Sequence, residues 1–345
     1  MAEKKKGLGL PQTRGSFQIR GVVTGTQKEN FYTEKLTKTD KPWRSVAFGL
    51  KYDKDATMFV SLNGMEKENV YFTKKEDKET ITKEVPWRDR FTFAEKDFSL
   101  IGINVGVKKV KDAKGNDVND KKRLTEYDAC REISENLTDD KTVFVKGTIE
   151  YGSYNDKHTT KFIPNQVSLA KDIDFEAEDF APLADFTQVI IVTGMKDNDD
   201  KTETTVEAKI VTYNTVEDAE FYINDMGLAR VFKKNLKPYT SIKVWGNIVV
   251  EKNTEEVETT DCWGQKNNME KTNAPTVRKL VITGADPETI DASTYKEEEI
   301  DKAIEAMKAA KNAENDFGGS SNKDSWGGAP WGSSNTNEDD DAGWD

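Results

Sequence analysis

Two short stretches set a cation and an aromatic ring on the same side of an alternating pattern. From Tyr239 to Val250, Ile242, Val244, Ile248 and Val250 share one parity, and Lys243, Trp245 and Asn247 share the other. Such alternation marks a half-buried strand, with one face toward a core and the other toward solvent. The stretch Thr142 to Tyr151 repeats it, with Val143, Val145 and Ile149 inward and Phe144, Lys146 and Thr148 outward, and Gly147 matches Gly246 in register. An outward ring stacks on flat π-systems, and an ammonium beside it neutralises an anion. The repeat predicts a duplicated binding module.

Further ring-and-cation groups are candidates for the same chemistry. Trp43 and Arg44 open a second strand, or else cap the end of the fold. Trp87, Arg88 and Arg90 cluster in a non-repeating region. Tyr154, Lys157 and His158 sit at a loop tip, where an ordinary solvated turn is the alternative. Trp263 lies beside Lys266 and Lys271, and Trp245 itself packs under the loop Glu251 to Ala274 if that loop folds over it. Arg20 and Lys209 are outward cations on strands.

Catalytic chemistry finds little support. There is no G-x-x-x-x-G-K-[ST], no G-x-G-x-x-G opening a helix and no H-E-x-x-H, and His158 is the single histidine. Glu207-Ala-Lys209 is superficially like a nuclease E-x-K, yet strand alternation already explains it. Cys130 and Cys262 lack paired Cys or His spacing, so neither a disulfide framework nor a zinc site is expected. The expectation is a protein that is not an enzyme, with no cofactor and no metal.

The 345 residues are enough for two domains with cores of their own. Net charge is −12, but residues 286–345 hold 16 acidic and 5 basic residues, a net of −11, leaving −1 for residues 1–285. Acidity is therefore a property of the C-terminal end, and a basic groove elsewhere depends on placement. No apolar run approaches the roughly 20 residues that cross a bilayer, and the start lacks an apolar export signal. A cytoplasmic location, with no membrane partner, is expected.

Along the chain, residues 1–15 read as a flexible basic leader. Strands follow at Ser16 to Gly25, Trp43 to Tyr52 and Thr57 to Asn63, then an insertion over 65–123 that reads as a decoration of the first domain. Leu124, Tyr127, Cys130, Ile133 and Leu137 recur at helical spacing behind a Thr125/Asp128 capping box. Strands at Thr142 to Tyr151 and Thr160 to Leu169 complete a first domain over 16–170. An acidic linker spans 171–184. The order then restarts over 185–285: strands at Phe186 to Gly194, Thr204 to Tyr213 and Asp218 to Asn224, a helix around Leu228 to Leu236, and strands at Tyr239 to Val250 and Thr276 to Gly284. Val23-Thr24-Gly25 recurs as Val192-Thr193-Gly194. Residues 286–311 read as an acidic helix, and 312–345, rich in Gly, Ser and Asp with isolated Trp residues, as a disordered tail.

Three strands, a helix and two strands, occurring twice, resembles tandem OB-folds, five-stranded Greek-key barrels that bind oligonucleotides. With the acidic tail ending Asp339-Asp340-Asp341-Ala342-Gly343-Trp344-Asp345, the chain resembles phage-type single-stranded DNA-binding proteins. It departs from the familiar bacterial ending of acids followed by Pro-Phe. The fold class implied is mainly β, with two OB-fold domains, short helices, a C-terminal helix and the tail. The resemblance puts Arg20, Trp43, Arg44, Trp87, Arg88, Phe144, Lys146, Tyr154, Lys157, Lys209, Lys243, Trp245, Trp263 and Lys266 on DNA. The outer strand positions are expected on the barrel's binding face, and the loops Thr26 to Pro42 and Gly152 to Thr159 at its rims. Asp339, Asp340, Asp341, Trp344 and Asp345 would contact replication or recombination proteins. The implied function is coating single-stranded DNA without sequence preference. The alternative is a non-catalytic interaction or structural β-barrel protein with a solubilising tail.

Overall fold

The computed structural model describes residues 7–317 except 77–78, 155–156, 252–254, 261–265 and 272–276, and, of the remaining residues at 154, 157, 251–277 and 310–317, the backbone alone. The chain opens with β1 (Gly15–Thr24), β2 (Tyr32–Leu36), β3 (Pro42–Lys51) and β4 (Thr57–Met65). An insertion supplies β5 (Asn69–Glu76), β6 (Glu79–Pro86), β7 (Ser99–Leu100), β8 (Ile103–Gly106), β9 (Lys109–Lys111), β10 (Asp117–Asn119) and β11 (Lys122–Leu124). Then come α1 (Glu126–Asn136), β12 (Thr142–Tyr154) and β13 (Lys157–Leu169). Thr125 caps α1, its hydroxyl accepting from the Asp128 amide at 3.2 Å, and the helix buries Tyr127, Ala129, Cys130 and Ile133.

In this first unit β1 pairs with β3 and β12, β3 with β4, and β12 with β13, while β13 lies against β4. The second unit holds β14 (Leu183–Asp197), β15 (Thr204–Val211), β16 (Val216–Ile223), α2 (Met226–Asn235), β17 (Thr240–Glu251), the hairpin β18 (Glu255–Thr260) and β19 (Lys266–Lys271), and β20 (Val277–Asp291). Its ladder closes as β14-β15-β16-β20-β17-β14, with β16 and β20 parallel. Both units are OB-folds, five-stranded Greek-key barrels with a helix before the fourth strand. Each fourth strand carries a bulge at the same place, at Lys146/Gly147 and at Trp245/Gly246. A methyl group on either glycine would strike a carbonyl of the fifth strand, that of Ile163 or Val281.

The barrels join through antiparallel pairing of β1 with β14, which sets Phe17 opposite Phe186. Phe17 also faces Gly147, and Phe186 faces Gly246. The two rings thus hold the same position in their own barrels, and pairing of a position with its counterpart is what a two-fold axis produces. An internal two-fold passes between Phe17 and Phe186. One apolar cluster runs through both barrels, including Phe17, Phe162, Phe186 and Phe221.

Three expectations are corrected. The leader does not hang free from Gly7 onward: Leu8 and Leu10 pack with Ile191, Val211, Val216, Tyr295 and Ile300 of the second unit, and the Thr13 hydroxyl accepts from the Val211 amide at 2.8 Å. The insertion is more than decoration, because β8 pairs in parallel with β13 and buries Ile103 and Val105 in the main core. The fifth strand of the second barrel runs on to Asp291, so the helix expected from 286 begins later, as α3 (Glu297–Phe317). The linker itself runs between β13 and β14 and is held at its start, where Arg20 Nη2 donates to the carbonyls of Lys171 at 2.7 Å and Asp172 at 2.9 Å. The tail at 318–345 lies outside the described residues.

Candidate nucleic-acid interface

Pairing across the two-fold makes β12, β1, β14 and β17 neighbours in one sheet. Its outward rows can be read from the register: Lys146, Gln18, Asp185 and Asn247 form one, Phe144, Arg20 and Leu183 another, and Thr187 pairs with Trp245. Lys146, Lys243 and Asn247 are exposed, Phe144 is half-buried, and Trp245 is 42% exposed. Because Gly147 matches Gly246, ring and cation exchange places between the copies. Gln18 stands between Lys146 and Asp185 in the first row, and its Nε2 donates to Asp185 at 3.2 Å.

These outward positions lie on the first and fourth strands, whose outer side the pairing of β1 with β14 turns into one sheet shared by both barrels. Arg20 is bound to the linker carbonyls, which makes it a tether on that sheet.

The β3–β4 face of the first barrel has a different character. Ser45, Ala47 and Gly49 stand opposite Asn63, Ser61 and Phe59, a floor of small and polar side chains. Phe59 is 37% exposed, and its ring edge approaches Gly49 so closely that a Cβ there would lie 3.2 Å away. At the far end Trp43 pairs with Met65, which is 42% exposed, and Lys35 Nζ stands 4.9 Å above the Trp43 ring. Lys51 Nζ lies 5.2 Å from the Phe175 ring at the Phe59 end. The floor thus carries rings and ammonium groups at both ends. Sequence reading passed over Phe59 and Met65; the available signal was the run of small residues at 45, 47 and 49 facing a third strand with a ring at an outward parity.

Arg44, a candidate from the sequence, turns inward at the end of this strand. Its guanidinium lies 3.8 Å over the Tyr127 ring and donates to Glu34 at 2.9 Å. The hydrogen bond from Arg44 holds the Glu34 carboxyl below the ordinary range, and burial with the bond to Glu34 pushes the Tyr32 hydroxyl up to about 12. Behind them Cys130 Sγ donates to the carbonyls of Leu62 and Arg44, and burial raises its thiol to about 12. Arg44 is a structural strut here.

The remaining candidates fall in several places. Trp87 packs edge-on to Tyr127 with centroids 5.9 Å apart, and Arg90, 4.3 Å over the Trp87 ring, pairs with Asp128 at 2.7 Å. That group fastens the insertion to α1. Arg88 projects beside it with its side chain 86% exposed. Lys209 pairs with Asp218 at 2.7 Å on the second barrel. Trp263 and the tail residues Asp339, Asp340, Asp341, Trp344 and Asp345 lie outside the described residues, as do the side chains of Tyr154, Lys157 and Lys266. Among the described residues no cluster of His, Cys, Asp or Glu is placed to hold a metal ion, and no helix is long and apolar enough to cross a membrane.

A family model described as YorF matches residues 73–320. No curated protein matches the sequence. Two solved structures are similar in outline, both of the single-stranded DNA-binding protein from Thermus aquaticus. A deletion mutant of that protein is 11% identical, with 80% of this chain and 94% of that one covered at a TM-score of 0.37. The wild type is 9% identical, with 80% and 93% covered at a TM-score of 0.37. The fold assignment above rests on the strand pairing within the chain itself.

Proposed function

The chain belongs to the YorF family, and we propose that it binds single-stranded DNA without sequence preference and without catalysis. The observation that carries this reading is the β3–β4 floor, shallow and lined by small side chains, with Trp43 under Lys35 at one end and Phe59 near Lys51 at the other. Every base has a π face, so exposed rings hold any sequence, at about 1–3 kcal/mol per stacked base. Ammonium groups beside the rings neutralise phosphates and release counterions, which makes such binding salt-dependent. Trp245 with Lys243 on the shared sheet offers a second group of the same kind.

The role in the cell is a protein of DNA replication and recombination, phage or bacterial, that coats exposed strands and keeps them from re-pairing. The C-terminal residues 312–345 then recruit partners, with Asp339, Asp340 and Asp341 meeting a basic pocket and Trp344 as apolar anchor. What supports this is composition: a near-neutral body and an acidic, Trp-bearing end.

Titration of intrinsic Trp fluorescence with oligo-dT tests the core of the reading. Strong quenching that salt reverses is expected, and unchanged emission rejects it in favour of an interaction or structural barrel. Deletion after Asp316 is expected to leave or tighten DNA affinity while abolishing capture of replication proteins. Loss of DNA binding in that deletion would show the division of labour to be wrong.

A further inference from the structure

Strand pairing allows the two barrels to be compared position by position. In the first, Val22 pairs with Lys51 and Thr24 with Gly49. At the matching places in the second, Ile191 pairs with Lys209 and, after a bulge, Gly194 with Glu207. Lys209 therefore stands where Lys51 stands, and Glu207 where Gly49 stands. The third strands follow suit: Gly49 faces Phe59, whereas Glu207 faces Glu220, and Lys51 faces Thr57, whereas Lys209 faces Asp218.

The chemistry of the two faces is opposite. Where the first barrel lays a ring against glycine, the second sets two carboxylates directly across from each other, an arrangement that repels phosphate and disfavours itself unless paired. Glu207 is paired, with Lys196 at 2.7 Å, and Glu220 accepts from the Tyr222 hydroxyl at 2.9 Å. The Tyr222 ring lies 5.0 Å from Lys279 Nζ, which Glu203 holds at 2.9 Å. Further along, Val211 and Val216 are covered by Tyr295, Ile300 and Ala303 together with Leu8 and Leu10. Exposed Glu297, Glu298, Glu299 and Asp301 line the start of α3 above them.

We propose that the barrels are unequal: the β3–β4 face of the first is the nucleic-acid floor, and the matching β15–β16 face of the second is a mount for the leader and α3 that excludes nucleic acid. The inference rests on the single-stranded DNA reading and deepens it. Duplication kept the scaffold, while charge and burial reassigned one face.

The test is fluorescence anisotropy of labelled oligo-dT against the full-length protein and four variants, with thermal melting to verify folding. Phe59→Ala and Ser61→Glu, on the first floor, are expected to weaken binding about fivefold or more. Tyr222→Ala and Thr205→Glu, on the matching face of the second barrel at the places of Ser61 and Ala47, are expected to leave affinity within about twofold. Ser61→Glu changes a half-buried surface position, so it carries the test if Phe59→Ala does not fold. Comparable losses from both pairs, or no loss from the first pair, overturn the asymmetry while the function reading stands. Failure of the unmodified chain to bind overturns the function reading and this inference with it.

Discussion

Trp245 packs against the backbone of Gly284: a Cβ built on that glycine would come 2.5 Å from the indole Nε1, and the ring nevertheless stays 42% exposed. The two are cross-strand partners on β17 and β20 beside the bulge at Trp245/Gly246. A large ring keeps an outward position because the neighbouring strand withdraws its side chain. Phe59 and Gly49 repeat the arrangement on the first barrel.

Gly284→Ala is therefore expected to push the indole off its seat, destabilising the protein by about 1–3 kcal/mol through overcrowding and shifting Trp emission. In a Trp245→Ala background the same substitution should cost almost nothing. A double-mutant cycle by thermal melting reads the coupling, and additive effects would contradict the seat.

Arg44 separates stability from binding. With its guanidinium stacked on Tyr127 and bonded to Glu34, Arg44→Gln is expected to lower stability by about 1–3 kcal/mol. Oligo-dT affinity of the folded variant should stay within about threefold, less than one stacked base. A large affinity loss with unchanged melting would return Arg44 to the binding face.

Salt dependence counts the phosphates. If Lys35 and Lys243 each neutralise one, Lys35→Ala and Lys243→Ala should each flatten the slope of log affinity against log salt by about 0.7. Titrations at four salt concentrations measure it. An unchanged slope for either variant removes that lysine from the interface.

The turn before α3 is sensitive to acid. The Asp291 carboxylate accepts from the hydroxyls of Thr294 and Ser293 and from their amides, and the Thr294 hydroxyl leads in holding it below the ordinary Asp range. A lowered folded-state value means that its stabilisation is present above the unfolded value of about 3.9 and fades as pH falls through it toward the folded one. Asp291→Asn should melt earlier than the unmodified protein at neutral pH, and the gap should narrow below about pH 4. A gap that persists at acid pH would assign the effect to packing.

Much of the architecture was legible in the chain. The alternation of Ile242, Val244 and Ile248 with Lys243, Trp245 and Asn247 is local, and burial follows it residue for residue. Asp218 to Asn224 fits a helix as well as a strand by spacing; placing it third in the repeated order reads it as strand, and β16 is one. Reading failed where a residue's surroundings come from far along the chain. Arg44 reads as an outward cation beside Trp43, yet its parity joins Val46 and Phe48, and its partners are Glu34 and Tyr127. Leu8 and Leu10 look like isolated apolar residues in a basic leader until α3 arrives from the other end of the chain.

The sequence by itself determined which residues turn inward, that a strand-strand-strand-helix-strand-strand order occurs twice, and that acidity gathers at the C-terminal end, because periodicity and composition are properties of neighbours along the chain. Only the tertiary structure decided that β1 meets β14 across a two-fold at Phe17 and Phe186, that the Trp245 side becomes a shared sheet, and that Phe59 answers to Glu220. Those relations depend on strand register between distant segments, and register is settled by the packing of whole faces.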